Sequence, residues 1–463
     1  AVVRPSQHDC NMGAFATLSG PPLPSANSTG EPSRPATARP DPTRPTSRKG
    51  PSVKALLDAV LLDIGGTLVE RAEPGTPVDS LEVRLRSGVV DDLAWIAESV
   101  RVGAVTDTAV MREADVRALL KPSGVSKLLE VVVTSSDVGA AKPDPTSLRQ
   151  AADQLGLTDP ERILYIGDQP EDEEAAAAAG MRFLPIAPLR DESDPSLRQT
   201  IQLWLERTAG HRFEDARARI AKSDIDAANA AAAHHNQLTK PPGSLGRLEA
   251  IGVQLAGMAG ACPPPVPEPV TVAVFAADHG IVDWGVSPWP QEVTAQMVAN
   301  FADGGAAVNV LARHTGADVV VVDVGVAHPI PLNGPEPANL LRRCVRPGTG
   351  NIAAGAAMNR VDALLALDVG VEVADRAVAA GARCLATGEM GIGNTTAATA
   401  VIAAIANALP QEITGRGSGA DDEMVARKRA VIEAAIADLT STAGPPPAHD
   451  GHRRLHLGLR GQI

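Results

Sequence analysis

The segment at residues 388–396 carries the residue types and spacing that best suit chemistry on a phosphate. It reads Gly-Glu-Met-Gly-Ile-Gly-Asn-Thr-Thr and lies between a short apolar run and a run rich in Ala, Val and Ile. This pattern predicts a strand, a glycine loop and a helix. Glycines let the backbone approach a ligand closely, and the first amides of a helix favour an anion. The phosphate-binding residues expected here are Gly391, Gly393, Asn394, Thr395 and Thr396.

Glu389 lies within the same segment and adds a carboxylate beside the expected phosphate. We expect it to serve as a secondary acid/base or to orient the ligand. The plainer interpretation is a strand-to-helix turn that a threonine caps, which a glycine loop in any protein would allow.

A second group of polar residues follows apolar runs in the N-terminal part of the chain. Asp63 and Thr106 each stand at the end of such a run, and Lys142 comes next. The acidic segment 167–172, Gly-Asp-Gln-Pro-Glu-Asp, is the last of the group. In this order the four segments resemble the four motifs of the haloacid-dehalogenase-like superfamily.

The resemblance implies that Asp63 is a nucleophile toward a phosphoryl group, whose oxygens Thr106 and Lys142 neutralise. It also implies a magnesium site, because carboxylates are the hard oxygen ligands that Mg²⁺ prefers. The expected ligands of that ion are Asp63, Asp168 and Asp172.

Gly65 stands where phosphatases of this superfamily carry a second Asp, two residues after the nucleophile, as acid/base. Weak phosphatase activity, phosphoryl binding and a non-catalytic role therefore all stay open. The plainer interpretations are a turn at Gly65-Gly66 and a helix start at residues 168–170. The short distance in sequence from Asp63 to Thr106 predicts a small cap and an open site.

The glycine segment and three others, in the same order, resemble nicotinate-nucleotide–dimethylbenzimidazole phosphoribosyltransferases. The resemblance implies transfer of phosphoribose from nicotinate mononucleotide to 5,6-dimethylbenzimidazole, which yields nicotinate and α-ribazole 5′-phosphate for cobalamin assembly. No cofactor is implied for this reaction. The four segments are residues 238–249, 277–288, 388–396 and 415–428.

The same resemblance places further residues at the substrates. Asp278 and His279 are expected in the loop that the substrate contacts, with a loop-shaping role, because adjacent residues of an extended segment point opposite ways and disfavour a joint metal site. Arg427 and Lys428 indicate an exposed helix face, with the alternative that Lys428 reaches the phosphate. The slot for the flat base is expected to include Trp284, Ser287, Pro288, Gln296 and Met297, although ordinary packing is the plainer role of Trp284.

The family's main general base is a glutamate on a later segment, which a long C-terminal region follows. In this chain the similarity fades near residue 438, and residues 442–463 contain no such glutamate. We expect a truncated or frameshifted chain with poor transferase activity. A homodimer is expected if the C-terminal region were complete.

Composition excludes several classes of partner. The net charge of −13, from 42 basic and 55 acidic residues, argues against nucleic acid and anionic membranes. Four scattered cysteines show neither metal spacing nor a disulfide framework, which predicts a cytoplasmic location. No apolar run approaches the roughly 18–20 residues that a membrane span needs.

The elements that must position these residues follow an α/β pattern. Short apolar runs alternate with alanine-rich helical segments in both halves, which predicts two Rossmann-like, three-layer α/β units with parallel sheets. The expected strands are residues 59–62, 102–105, 131–134, 163–166, 270–276 and 319–324. The expected regions are a disordered Pro/Ser/Arg-rich tail at 1–52, a haloacid-dehalogenase-like domain at 53–189, a helical connector at 190–222, the transferase domain at 223–438 and a divergent tail at 439–463.

The leading interpretation is therefore a transferase of cobalamin assembly fused to a phosphatase-like domain. Two alternatives stay open: a magnesium-dependent phosphatase of the haloacid-dehalogenase type, and a non-catalytic protein that binds a nucleotide. If both halves are active, the phosphatase-like site is expected to dephosphorylate the transferase product to α-ribazole.

Overall fold

The computed structural model describes residues 53–72, 76–77, 80–188 and 195–443. The tail predicted to be disordered, residues 1–52, lies outside the described residues, as does 444–463 within the second predicted tail. The described residues belong to one compact unit.

The first sheet is parallel throughout. Its strands are β1 (Ala59–Leu62), β2 (Arg101–Thr106), β3 (Val131–Thr134), β4 (Ile163–Gly167) and β5 (Arg182–Pro185). They lie in the order β3-β2-β1-β4-β5. The inner strands β2, β1 and β4 are apolar and almost wholly buried, as expected when helices cover both sides of a parallel sheet. The predicted strands are confirmed within one residue at each end, and β5 was not predicted.

Helices connect these strands. The start of the fifth helix illustrates why they form where they do: Pro170 occupies its first position, and acidic residues fill its first turn, where the helix dipole favours them. The helices are α1 (Val89–Ala97), α2 (Glu113–Leu120), α3 (Ser135–Val138), α4 (Thr146–Gln154) and α5 (Pro170–Ala179).

The second sheet is also parallel. Its strands are β6 (Val270–Ala277), β7 (Asp318–Gly325), β8 (Leu340–Arg342) and β9 (Cys384–Met390), in the order β8-β7-β6-β9. The strand β9 is longer than the sequence predicted, because residues 387–390 pair in register with β6. Gly388 and Glu389 therefore belong to the strand, and the glycine loop is only residues 391–393.

The remaining helices join the halves and surround the second sheet. The first of them is more than a connector, since Leu197, Ile201 and Leu205 are fully buried and lie in the core that contains α1. These helices are α6 (Leu197–Thr208), α7 (His211–Arg219), α8 (Ile225–Gln237), α9 (Arg247–Ala259), α10 (Val293–Ala302), α11 (Ala307–Thr315), α12 (Arg360–Ala379), α13 (Asn394–Ala406), α14 (Pro410–Ile413) and α15 (Asp422–Ala443).

The predicted α/β class is confirmed: two parallel sheets alternate with helices. One hydrophobic cluster runs through both halves and includes Val60 of β1, Val322 of β7 and Val369 of α12. Among the described residues, no helix combines the length and the apolar character that crossing a bilayer requires.

Candidate functional sites

The first site lies at the carboxyl ends of β1, β2 and β4. Asp63 directly follows β1, Thr106 is the last residue of β2, and Asp168 directly follows β4. Asp172 comes from the first turn of α5. Because parallel strands end at one edge of a sheet, these side chains converge there, as the sequence predicted. Asp63, Thr106 and Asp172 are all buried.

Lys142 links the carboxylates of this site. Its Nζ donates to Asp63 Oδ1 at 2.7 Å, to Asp172 Oδ1 at 2.6 Å and to the hydroxyl of Tyr165 at 2.9 Å. These three bonds use all three ammonium protons. The structure thus brings the predicted Asp63, Lys142 and Asp172 into direct contact.

Tyr165 is a site residue that sequence reasoning missed. It is the single tyrosine of the sequence and is fully buried in β4. Besides Lys142, its hydroxyl lies 3.1 Å from Asp172 Oδ1 and 3.2 Å from the carbonyl oxygen of Val105. The available signal was a phenol within an otherwise apolar strand, because a buried tyrosine hydroxyl usually has a polar partner.

At Asp63 and at Lys142, burial and the neighbouring opposite charge shift the pKa in opposite directions. Burial raises the pKa of Asp63 to about 6, although the ammonium of Lys142 opposes the shift. Burial also tends to lower the pKa of Lys142, but the carboxylates of Asp63 and Asp172 outweigh it and raise that pKa above its usual value. At neutral pH the site therefore pairs a buried carboxylate with a buried ammonium.

The donor set suits a hard divalent cation. Oxygen atoms of Asp63, Asp168 and Asp172 all lie within 4.8 Å of one another. Three carboxylates so close repel one another unless positive charge is present, and oxygen ligands are those that Mg²⁺ prefers. The residues that would hold the ion are thus the three that the sequence predicted.

The two glycines after Asp63 differ in the space around them. Gly66 has a φ of 89°, and a Cβ there would overlap the carboxylate of Asp168, so only glycine fits. At Gly65, where related phosphatases carry their acid/base, a Cβ would have no atom within 4 Å. A side chain could therefore begin at position 65 without its Cβ meeting another atom.

The second site begins at the loop 391–393, between β9 and α13. A Cβ on Gly391 would overlap the carbonyl oxygen of Ala277, so the loop packs directly on the end of β6. Gly393 precedes the helix with a φ of 90°, in the left-handed region that favours glycine. Thr294 fixes the loop between them, since its Oγ1 accepts a hydrogen bond from the Ile392 amide at 3.1 Å.

Glu389 and Asn394 form a polar pair beside this loop. The side-chain amide of Asn394 donates to Glu389 Oε2 at 2.8 Å, and its own carbonyl oxygen accepts from the Thr395 amide at 2.8 Å. The other oxygen of Glu389 lies 3.7 Å from Nε2 of His279. Since the Glu389 side chain is about half exposed (51%), its carboxylate is accessible from solvent.

Lys428 is buried rather than part of an exposed helix face, so that expectation was wrong for this residue. Its helix, α15, packs against α13, and Nζ donates to Thr395 Oγ1 at 3.2 Å and to the carbonyl oxygen of Arg416 at 3.1 Å. Burial lowers its pKa. Arg427, the preceding residue on the helix, is exposed as predicted.

A cavity of about 20 Å³ lies between the loop, α15 and the segment after the 3-10 turn Gly280–Trp284. It brings the predicted Ser287 and Pro288 together with the loop 391–393 and Lys428. Gln296 and Met297 lie on α10, outside this lining, and Trp284 is substantially exposed rather than packed. The lining residues are Val286, Ser287, Pro288, Gly391, Ile392, Gly393, Asn394, Thr395, Arg416, Ser418 and Lys428.

Asp278 and Thr396 are fully buried polar residues next to this loop. Asp278 Oδ2 accepts a hydrogen bond from the Ala327 amide at 2.8 Å, which ties the end of β6 to the segment after β7. Asp278 Oδ1 and Thr396 Oγ1 have no hydrogen-bond partner among the described residues. The contacts of Asp278 are those of a residue that shapes the loop.

Comparison with known families distinguishes the two halves. Residues 220–450 match a family model described as phosphoribosyltransferase, and residues 76–186 match one described as haloacid dehalogenase-like hydrolase. The second match starts after Asp63 in the chain. The predicted resemblance to both families is confirmed.

Individual relatives agree with the first match. The nicotinate-nucleotide–dimethylbenzimidazole phosphoribosyltransferase of Salinispora tropica is 52% identical over 244 residues, which cover 50% of this chain and 65% of the relative. The enzyme of the same name from Roseiflexus castenholzii is 51% identical over 223 residues, 48% of this chain and 62% of the relative. The crystal structure of CobT from Thermus thermophilus shares 47% identity over 46% of this chain and 63% of that chain, with a TM-score of 0.44.

The chain spans less than two thirds of the length of these curated relatives. Two separate segments nevertheless match two separate families, in the order that the sequence predicted. The chain therefore joins a segment similar to haloacid-dehalogenase-like hydrolases to a segment similar to phosphoribosyltransferases.

Proposed function

We propose that the second half transfers phosphoribose from nicotinate mononucleotide to 5,6-dimethylbenzimidazole. The observation that carries this proposal is a cavity at the carboxyl edge of the second sheet that suits an anion. The loop 391–393, Asn394 and Thr395 at the start of α13, and the buried ammonium of Lys428 line it. Relatives about half identical in sequence bear the name of this reaction.

In the proposed reaction a ring nitrogen of the benzimidazole attacks the anomeric carbon of the ribose. The bond from that carbon to nicotinate breaks, nicotinate leaves with the bonding electrons, and a base removes the proton from the second ring nitrogen. We assign the 5′-phosphate to the loop 391–393, the positive end of the α13 dipole, the hydroxyl of Thr395 and Lys428. Ser287 and Pro288, which also line the cavity, are the residues that we assign to the base side.

Glu389 is the carboxylate that we propose for orienting the nucleotide and for secondary acid/base work. It is hydrogen-bonded to Asn394, which lines the cavity. Among the described residues that line the cavity, none carries a carboxylate. A general base is typically worth about 10²–10⁴-fold in rate, whereas positioning can contribute about 7–11 kcal/mol, so we expect slow rather than absent transfer.

The test is release of nicotinate from nicotinate mononucleotide by the full chain, with and without dimethylbenzimidazole. We expect benzimidazole-dependent release below the ordinary range of about 1–10³ s⁻¹. Glu389→Gln should slow it further, whereas Glu412→Gln, at an exposed position of α14, should not. Binding of the nucleotide without any release would instead support the non-catalytic alternative.

A second function, hydrolysis of a phosphate monoester, is favoured by the contacts among Asp63, Lys142 and Asp172. In this proposal an oxygen of Asp63 attacks phosphorus, the bond to the leaving oxygen breaks, and water later hydrolyses the aspartyl phosphate. Lys142 neutralises charge on the phosphoryl group. A bound Mg²⁺ would supply charge stabilisation at the same oxygens.

Gly65→Asp tests this second function, since a Cβ at position 65 would meet no atom within 4 Å. We expect the variant to accelerate hydrolysis of α-ribazole 5′-phosphate by about 10²–10⁴-fold, because its alkoxide leaving group needs a proton. Hydrolysis of p-nitrophenyl phosphate, which leaves as a stable phenolate, should change far less. Asp63→Asn should abolish both activities. No hydrolysis of either ester by the Gly65→Asp variant would contradict the assignment.

A further inference from the structure

Arg71 holds a position at the first site that neither the sequence motifs nor the proposed reactions explain. Its Nη2 lies 2.9 Å from the carbonyl oxygen of Gly65 and 2.9 Å from Asp168 Oδ1, with Asp168 Oδ2 at 3.2 Å. One nitrogen thus contacts three oxygen atoms at the edge of the carboxylate cluster.

The two cationic side chains of the site, Lys142 and Arg71, contact different carboxylates of the cluster. Lys142 contacts Asp63 and Asp172, and its side chain is 5% exposed, so it is fixed inside the protein. Arg71 contacts Asp168, whose side chain is fully buried, but the Arg71 side chain itself is 53% exposed. The guanidinium therefore covers a buried carboxylate from the solvent side.

We propose that Arg71 competes with the divalent cation for the carboxylate oxygens of this site. Its nitrogen occupies oxygen atoms that an ion held by Asp63, Asp168 and Asp172 would need, so the ion binds only after Arg71 moves away. Repulsion between the guanidinium and the ion acts in the same direction. This inference rests on the cation site proposed above for the phosphatase-like half.

Competition of this kind has a simple quantitative consequence. The apparent affinity of a ligand equals the affinity of the open site multiplied by the fraction of molecules whose site is open. If Arg71 covers the site in about nine molecules of ten, removing it should lower the dissociation constant about tenfold.

The experiment measures Mn²⁺ binding to the full chain by electron paramagnetic resonance, from the signal of the free ion. Arg71→Gln should bind Mn²⁺ about tenfold more tightly than the natural chain. Arg84→Gln is the matched control, because Arg84 is an exposed arginine of the same region that pairs with Glu70 and Glu82 and loses the same charge. Its affinity should stay within about twofold of the natural chain.

Asp168→Asn separates this inference from the cation site on which it rests. Equal Mn²⁺ affinity of the natural chain and Arg71→Gln, with loss of binding in Asp168→Asn, would overturn the role of Arg71 and leave the site standing. No binding by the natural chain or by Arg71→Gln would overturn both. Unchanged binding by Asp168→Asn would place the ion elsewhere and also overturn the role of Arg71.

Discussion

The ammonium of Lys428 is a buried charge whose contacts are neutral. Its hydrogen bonds go to a hydroxyl and a backbone carbonyl, and burial alone lowers its pKa. Among the described residues, no carboxylate lies within ion-pair distance of it. A buried charge of this kind is costly unless a partner pairs with it, and an anionic ligand would be that partner.

We predict opposite pH dependences for ligand affinity and for the stability of the free protein. Because its folded-state pKa is lowered, Lys428 loses its proton at lower pH than an ordinary lysine. Affinity for nicotinate mononucleotide should then fall as pH rises toward the ordinary lysine pKa of about 10.4, while the destabilisation from burying the ammonium is relieved. Calorimetric titration measures the first effect and urea unfolding the second.

Two variants make this pH prediction specific to Lys428. Lys428→Arg keeps its charge throughout the range, so its affinity should vary little with pH. Lys428→Met should bind weakly at every pH. If Lys428→Arg showed the same pH profile as the natural chain, the titrating group would be a residue other than Lys428.

Residues that follow strand ends could be predicted from the sequence, and residues placed by distant packing could not. Asp63 and Asp168 were predictable because parallel strands bring their ends to one edge. Burial of Lys428 depends on contact between α15 and α13, whose hydrogen-bonded residues are 33 positions apart. Tyr165 and Arg71 belong to the same class, since only the folded chain brings them to the carboxylates.

At the scale of elements, pairing between strands sets the length of β9, which the local residue types did not predict. Gly388 disfavours a strand by its own propensity, and the sequence accordingly predicted a loop there. In the fold Gly388 pairs with Val274 of β6, which extends β9 through Glu389 to Met390. Extension of the strand shortens the loop and places Glu389 beside Asn394 at the start of α13.

Gly393→Ala tests whether this strand, loop and helix must keep their geometry. The residue has a φ of 90°, and a Cβ would lie 2.8 Å from Val282 Cγ2. We expect a loss of about 1–3 kcal/mol in the free energy of unfolding and a clear loss of nucleotide affinity. Thermal unfolding and calorimetric titration measure the two effects.

Gly415→Ala is the matched control for that substitution. A Cβ at Gly415 would meet no atom within 4 Å, and its φ lies outside the left-handed region. It should change neither stability nor affinity appreciably. If Gly393→Ala behaved in the same way, the loop would not require its present backbone.

At the scale of the whole molecule, the two halves meet at the edge of the first sheet opposite its candidate site. Asp58 and Arg162, which precede β1 and β4, contact Arg343 after β8 and Glu372 of α12. Asp63 and Asp168 lie at the other ends of the same two strands. The candidate site of the first half therefore lies at the ends of these strands that are remote from this contact.

Glu372 is the centre of this interface. Its Oε2 accepts from Arg162 Nη1 at 2.9 Å and its Oε1 from Arg343 Nε at 2.9 Å. All three side chains are less than a tenth exposed. Glu372 thus shares the compensation of two buried guanidinium groups with Asp58, and one hydrophobic cluster includes residues of both halves.

Glu372→Gln should therefore destabilise both halves together. The substitution keeps the shape of the side chain but leaves two buried guanidinium groups with Asp58, which is partly exposed, as their remaining carboxylate partner among the described residues, so it should cost up to about 3–5 kcal/mol. Glu214→Gln, which breaks an exposed ion pair with Arg217, should cost less than about 1 kcal/mol. Urea unfolding followed by circular dichroism measures both variants. Because the core is shared, we expect a single transition that moves to lower urea as a whole; separate transitions in Glu372→Gln, with one unmoved, would show that the halves fold independently.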